Sequence, residues 1–460
     1  MASKEFPLVP EKVQPVKTKY RKIVTAIPAP QSIALLKKLR ATEPRSMGGQ
    51  PPVIWHHGKD FCIFDPYGNQ WLDFTSGVLV AACGHGRPEM TKAVVDMAKQ
   101  GLLHAYCFPT EVRAQLVAEL GSWLPKPLKR VFLLTTGSEA TECCIKLART
   151  RGMELGGKKK SILVTFQSAF HGRTLGAQLA GGSPALKSWI GDLDERFVQV
   201  PYPDGFRQQD TSFDVFEKTL AAKGINPDDV CGVMAETFQG GNAILLPVAY
   251  AQALRKWCNK HQALLMFDEI QAGFGRTGKA FAFMHLGIVP DLVACGKGIS
   301  GGLPLSAVLG TQELMDIYGP GEMTSTHSAN PICSAAALAN LQCIKRDKLV
   351  QNAAKLAPQL AEGCRTIAEA SQGHIGRWSS TGLVGALQFT KPGTTDPDPD
   401  TAWEVVRRTV QRGVLLFAPV GLGNAAIKIN PPLTINAAAL AEGLEVIKDV
   451  VECVVSDRGC

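Results

Sequence analysis

Three observations predict an α/β fold with a mainly parallel sheet. Seven short apolar segments recur between residues 131 and 310, helically spaced segments separate several of them, and 45% hydrophobic content over 460 residues allows a large core. Short apolar strands alternating with helices describe a sheet covered on both faces, since parallel strands are normally buried from both sides.

Residues 1–50 carry Lys, Pro and Arg with little periodicity, which predicts an extended arm with one short helix near Ser32–Leu39. VIWHHGKDFCIFDPYGNQWLDF (53–74) holds two apolar runs around turn residues, the second turn at DPYGN, and reads as a hairpin. MTKAVVDMAKQ (90–100), RAQLVAELGSWL (113–124), EATECCIKLARTRG (139–152) and YAQALRKWCNKH (250–261) space their apolar residues helically. Between and after them, VFLLTT (131–136), SILVTF (161–166), RFVQV (196–200), GVMAE (232–236), ALLMFDE (263–269), DLVAC (291–295) and SAVLG (306–310) read as buried strands. The small-residue helix NPICSAAALANLQCIKRD (330–347) closes this region. A smaller α+β domain is predicted from about residue 345, with strand candidates LVGALQF, VLLFA and AIKIN and the loop KPGTTDPDPD.

Charge and cysteine usage narrow the function class. The net charge of +8 is spread thinly, with KKK at 158–160 as its densest run, which reads as solvated surface and not as a nucleic-acid arm. The surplus favours anionic small molecules. Thirteen scattered cysteines predict reduced thiols, and Cys83 with His85 lacks the second ligand pair of a zinc site, so no metal is expected. The start MASKEFPLVPEK lacks the apolar run of a signal peptide, and no stretch has the roughly 18 apolar residues of a membrane span, so a cytoplasmic protein is expected.

GFGRTGKA (273–280) approaches a nucleotide-binding phosphate loop. Ala280 stands where that loop needs a hydroxyl for magnesium, and the preceding strand ends in Asp268 and Glu269, which would repel a triphosphate. Three other strand ends carry more. Asp268 ends an apolar strand, where open parallel sheets bind ligands. Lys297 follows DLVAC amid four glycines, a setting for a desolvated amine nucleophile, although a surface lysine fits the same letters. TTGSEATE places Gly137 and Ser138 at a helix start suited to a phosphate ester, or to an ordinary N-cap. A phosphate seat, a carboxylate and a reactive lysine are together what pyridoxal 5′-phosphate requires.

Seven motifs in order, FTSGVLVAACGHGRPEM, TTGSEATECCIKLAR, SAFHGRT, FDEIQAGFGRTGK, GKGISGGLPLSAV, STHSANP and INPPLT, resemble the class III pyridoxal-phosphate aminotransferases, above all the 4-aminobutyrate and ω-amino acid branch. The resemblance covers nearly the whole chain. It implies fold type I: a seven-stranded, mainly parallel sheet in a large cofactor-binding domain (86–344), a C-terminal small domain (345–460), and an N-terminal arm and hairpin (1–85) associated with the small domain. It implies that Lys297 forms the internal aldimine and shuttles protons, and that Asp268 keeps the ring nitrogen protonated. Gly137 and Ser138 match the phosphate cradle, and Thr326 the residue reaching the neighbouring subunit's phosphate, which implies a homodimer or a dimer of dimers with shared sites. Phe170 matches the aromatic stacked on the ring, Gln271 the side chain near the ring hydroxyl, and His171 a further cofactor contact. Arg173 coincides with the arginine gripping the donor's remote carboxylate, and Glu236 with the glutamate that neutralises an arginine when the second substrate enters.

Two departures bear on substrates. Lys428 in AIKINPPL stands where the family usually has the arginine for the α-carboxylate, so a point charge replaces a bidentate fork. Val78 follows DFTSG where dialkylglycine decarboxylase has Gln, which demotes decarboxylation. PYPDGF and SANPICSAAAL resemble class III racemases, an alternative the sequence leaves open. The implied activity is transfer of an amino group from an ω-amino acid or primary amine to pyruvate or 2-oxoglutarate, with a silent homologue or an NTPase as the weaker readings.

Overall fold

The computed structural model describes residues 4–456. Contacts divide the chain into two units: Pro88–Gln351, and residues up to Arg87 together with those from Asn352 on.

In the first unit every segment read as a strand joins one seven-stranded sheet: β1 (Arg130–Leu134), β2 (Ile162–Phe166), β3 (Phe197–Val200), β4 (Val230–Glu236), β5 (Leu264–Asp268), β6 (Leu292–Cys295) and β7 (Ser306–Gly310). Their order across the sheet is β1, β7, β6, β5, β4, β2, β3. Neighbours from β6 through β5, β4 and β2 to β3 pair in parallel, and only β7 runs against its two neighbours. The sheet is the mainly parallel one expected of fold type I. Its parallel strands therefore deliver their carboxyl ends, and the loops that follow them, to one edge. The reversed β7 starts at that same edge, where Ser306 Oγ donates to the Thr136 carbonyl at 2.6 Å.

The helix Gly137–Gly156 shows how the sequence builds against this sheet. A capping box starts it: Thr136 Oγ accepts from the Glu139 amide at 3.3 Å, and Glu139 Oε2 accepts from the Thr136 amide at 2.7 Å. Ala140, Cys144, Leu147 and Ala148 recur at helical spacing and are fully buried against Met234, Met266, Leu292 and Val308 of the sheet. Close approach sets the other end, where a Cβ on Gly152 would lie 2.2 Å from the Lys160 carbonyl oxygen and 2.5 Å from Cys231 Cβ.

The second unit differs from the sequence reading in two places. The stretch 53–74 forms three antiparallel strands, His57–Lys59, Cys62–Phe64 and Gln70–Asp73, not one hairpin. The additional turn occurs at Asp60, whose φ is 52°, and the expected one at 65–69, where Asp65 Oδ1 accepts from the Tyr67 and Asn69 amides, each at 2.9 Å. The VLLFA segment gives only Val414–Leu415, which pairs in parallel with Gln70–Asp73 instead of joining the sheet of Ile375–Thr381, Val384–Phe389 and Ala426–Ile429. The arm contributes two short strands and the helix Ile33–Thr42. Four consecutive residues, Ser76 to Leu79, have φ of 49°, 58°, 64° and 64°. Glycine takes this left-handed form freely, whereas each other residue pays on the order of 1–2 kcal/mol.

Eleven of the described cysteines are free, whereas Cys453 is disulfide-bonded, which departs from uniformly reduced thiols. Among the described residues no helix is long and apolar enough to cross a membrane, and no group of three His, Cys, Asp or Glu could hold a metal.

Gly152→Ala tests the helix contact. Helix propensity alone favours alanine by about 1 kcal/mol. Forcing a methyl against the backbone at Lys160 costs about 1–3 kcal/mol, so a lower melting temperature is expected. A higher one in thermal denaturation would show that the helix has room to shift.

Candidate functional site

Asp268 and Glu236 end adjacent parallel strands in direct register, and Ala294 of β6 is the partner of Asp268 on its other side. Two carboxylates side by side, both buried, need hydrogen bonds to stand there. Asp268 Oδ2 meets His171 Nδ1 at 2.8 Å, and Oδ1 accepts from the Ile270 amide at 3.0 Å. Among the described residues Glu236 takes two backbone donors, Phe170 N at 3.1 Å and Gly240 N at 3.0 Å. Burial pushes the Glu236 carboxyl up to about 7, with the charge of His171 opposing and that of Asp268 reinforcing. Burial disfavours the charged form of His171, but the hydrogen bond and charge of Asp268, helped by Glu236, outweigh it and raise its pKa. His171 Nε2 is buried without a partner.

Lys297 opens the turn after β6 at φ 41°, directly behind an extended Gly296. A left-handed lysine is strained, and the conformation directs the chain away at the strand end. Burial lowers its pKa, while Asp268 and Glu236 pull the other way. The amine, the two carboxylates and the imidazole thus form one electrostatic group. Gln271 belongs to the same cluster: a Cβ on Gly240 would lie 2.2 Å from Gln271 Nε2 and 2.9 Å from Glu236 Oε1, so both side chains close around this glycine.

The start of the helix Gly137–Gly156 adjoins this group. A Cβ on Gly137 would meet Ile270 Cδ1 at 3.0 Å, and Ser138 Oγ accepts from the Arg173 amide at 3.2 Å. The first amides of any helix lack internal acceptors and suit an anion. Phe170 is 39% exposed, and the exposed Arg173 places its guanidinium 5.7 Å from the Phe170 ring centre. Arg173 and Glu236 form no ion pair with each other among the described residues.

Thr326 is exposed and makes no hydrogen bond among the described residues. Its loop is fastened on both sides, by Tyr106 Oη to Thr324 Oγ1 at 3.0 Å and by Asn330 Nδ2 to the Leu103 carbonyl at 2.8 Å. Val78 and Lys428 lie in the other unit, Val78 47% exposed on the left-handed turn and Lys428 buried opposite Ala386 in its sheet.

Sequence reasoning overlooked Glu269 as a brace. Fully buried, it accepts from the Ala282 and Phe283 amides at 2.9 and 2.7 Å and so ties down the far end of the loop carrying GFGRTGKA. Burial pushes it up to about 7. Lys279 fastens the same loop by donating to the Met284 carbonyl at 2.9 Å. The available signal was a second carboxylate directly after Asp268 at the end of an apolar strand.

Residues 45–451 match the family described as aminotransferase class-III. The chain is similar to a 4-aminobutyrate aminotransferase of Mycobacterium leprae, 34% identical over 94% of this chain and 98% of that protein. It is similar to an acetylornithine aminotransferase of Gloeobacter violaceus, 33% identical over 86% and 93%. An amine transaminase from an uncultivated Pseudomonas species, solved with pyridoxal phosphate bound, superposes with a TM-score of 0.79 at 26% identity, covering 88% of this chain and 95% of that one.

The raised Glu236 carboxyl gives a stability test. A carboxyl with a folded pKa above its unfolded one stabilises fully at low pH and loses that contribution as pH rises through the folded value. Glu236→Gln should therefore gain melting temperature relative to the parent across the window from 4.5 to about 7, and level off above it. A difference independent of pH would refute the shift.

Proposed function

Because the chain belongs to the class-III aminotransferase family, a pyridoxal-phosphate-dependent one, we propose that it moves an amino group from an ω-amino acid or related primary amine to a 2-oxo acid such as pyruvate or 2-oxoglutarate. The observation that carries this reading is Lys297, an amine with lowered proton affinity in the same electrostatic group as Asp268 and Glu236 at adjoining strand ends. Racemisation is not favoured, since the relatives are named as aminotransferases.

The residues fit the cofactor. A carboxylate already oriented by His171, an imidazole with an unpartnered Nε2, a half-exposed aromatic and a helix start with free amides match its ring nitrogen, ring face and phosphate. Bound there, pyridoxal phosphate supplies an aldehyde that condenses with amines and a ring that takes up the electron pair released when a substrate C–H bond breaks. The chain's residues would do the rest. Lys297 holds the cofactor, and its neutral amine, favoured by burial, takes the substrate proton and returns it. Asp268 keeps a proton on the ring nitrogen, and its hydrogen bonds to His171 and the Ile270 amide fix the carboxylate for that task. Gly137, Ser138 and a second subunit's Thr326 would hold the phosphate, Phe170 would cover the ring, and Gln271 would meet its hydroxyl.

Arg173 would grip the donor's remote carboxylate through paired N–H groups. Glu236, which accepts from the Phe170 and Gly240 amides, would serve as a counter-charge when a substrate without that carboxylate enters. Lys428 would take the α-carboxylate of the amino acid or 2-oxo acid as a point charge, and Val78 would contact the substrate. A homodimer is supported by the exposed apolar segment Leu102, Leu103, Tyr106 and Phe108, fastened to the Thr326 loop. A cytoplasmic setting accords with the absence of a membrane-crossing helix among the described residues.

The purified protein should turn yellow with added pyridoxal phosphate, and Lys297→Ala should lose that absorption and about 10⁴-fold in transfer rate. Failure of the parent to take up the cofactor overturns the reading. Arg173→Ala should lower kcat/KM roughly 10- to 100-fold for ω-amino acids and leave simple primary amines nearly unchanged. Equal losses on both donor classes would remove Arg173 from the carboxylate pocket.

A further inference from the structure

We infer that Asn340 is a positioning residue for Lys297: from within the helix Pro331–Arg346 its side-chain amide holds the two carbonyls that follow the lysine and so fixes the left-handed turn on which the amine is carried. This rests on the proposed role of Lys297, and every residue involved belongs to the unit Pro88–Gln351.

The turn begins where β6 ends. After Cys295 comes an extended Gly296, and Lys297 enters the left-handed region at φ 41°. A residue with a side chain stays there only where its surroundings over-determine the backbone. Within the turn the Ile299 amide donates to the Gly296 carbonyl at 3.0 Å, and the Ser300 hydroxyl donates to the Leu303 carbonyl. Those bonds do not involve the carbonyls of Gly298 and Ile299, two buried residues. Buried carbonyls need a donor. Asn340 supplies it to both, its Nδ2 donating to Gly298 at 2.8 Å and to Ile299 at 3.0 Å. Because both partners are acceptors, they fix which end of the side-chain amide faces the turn.

The place of Asn340 in its helix points the same way. Ala336, Ala337 and Ile344 share its face at helical spacing, and all three are fully buried, as it is. Its Oδ1 is buried without a partner among the described residues. Burying an amide with one atom unpaired is costly, so the packing of this apolar face does not account for an asparagine, whereas two acceptors directly after Lys297 do. There is little slack on the far side of the lysine: a Cβ on Gly301, at φ 64°, would lie 2.9 Å from Asn340 Oδ1 and 2.6 Å from Met90 Cε. Turn and helix are thus joined by two hydrogen bonds on one side and by close packing on the other.

Asn340→Leu, which keeps the side chain's size and removes both donors, tests this. In the cofactor-free protein, hydrogen exchange at residues 297–301 should speed up roughly tenfold while β6 keeps its protection. With pyridoxal phosphate bound, the pH midpoint of the lysine-bound cofactor's absorption should move by at least about 0.5, since the amine is no longer held in one place beside Asp268 and Glu236. The value of kcat should fall roughly tenfold with donor KM within about twofold of the parent's. In the Lys297→Ala background, with methylamine supplied in solution as the base, the same substitution should change the rate by less than about twofold, because no lysine is left to misplace. A role confined to packing would slow both backgrounds alike and leave the midpoint where it is. Unchanged exchange, an unmoved midpoint or equal rate losses in the two backgrounds overturns the inference. If Asn340→Leu does not fold, Asn340→Thr, which keeps one donor, takes its place with smaller changes in the same directions. Exchange is read without cofactor: a parent that takes up no pyridoxal phosphate refutes the proposed function, and exchange still decides whether Asn340 holds the turn.

Discussion

The burial of Asp268 at the end of a central parallel strand is the constraint around which the larger unit is arranged. An isolated buried carboxylate costs several kcal/mol after relaxation, and each hydrogen bond to a charged group returns about 1.5–3 kcal/mol. Asp268 has two such bonds, one from the imidazole of His171 and one from the Ile270 amide. Each fixes another element. The imidazole holds the loop after β2, which also carries Phe170 and Arg173, and the amide holds the segment that brings Ile270 against Gly137 at the helix start. The charge that must be satisfied therefore also determines where Phe170, Arg173 and the helix start stand.

Its neighbours obey the same rule with different partners. Glu236 and Glu269 are buried beside Asp268 and take their donors from backbone amides, which satisfy oxygens without supplying a full countercharge. Burial consequently raises both carboxyls to about 7, whereas Asp268 faces an imidazole whose protonated form it stabilises. The three acids thus differ in their donors, backbone amides for the two glutamates and an imidazole with one amide for Asp268. Lys297 completes the group as the amine whose neutral form burial promotes.

What the sequence made legible is what the pattern of strands enforces. A parallel sheet puts strand ends at one edge, so Asp268 and Lys297 could be placed together from seven apolar segments, whereas Glu236 was reached through the resemblance. His171 and Gln271 were reached only through the resemblance, because a histidine after a strand carries no local sign that its ring turns back to a carboxylate three strands' worth of chain away. The extra strand at His57–Lys59 was hidden because Lys59, Asp60 and His57 lack the apolar alternation of a strand, and the parallel pairing of Val414 with Leu72 joins residues separated by most of the chain. The left-handed turn was illegible for a related reason: FTSGVLV contains one glycine, and nothing in Ser76, Val78 or Leu79 announces positive φ.

Both units reach precise placement by the same means, a buried acid that is paired on one oxygen with a histidine and on the other with a backbone amide. Asp268 uses His171 and Ile270, and Asp73 uses His85 and Thr75. An arginine or lysine partner would neutralise the charge as well, but a flexible side chain must lose more rotamer freedom to hold one geometry. An imidazole locked by its own backbone or by packing transmits position instead. The difference lies in what is positioned: the loop after Asp268 contains a single non-glycine left-handed residue, Phe274 at φ 57°, whereas beside Asp73 the surrounding bonds must outweigh four left-handed residues in succession.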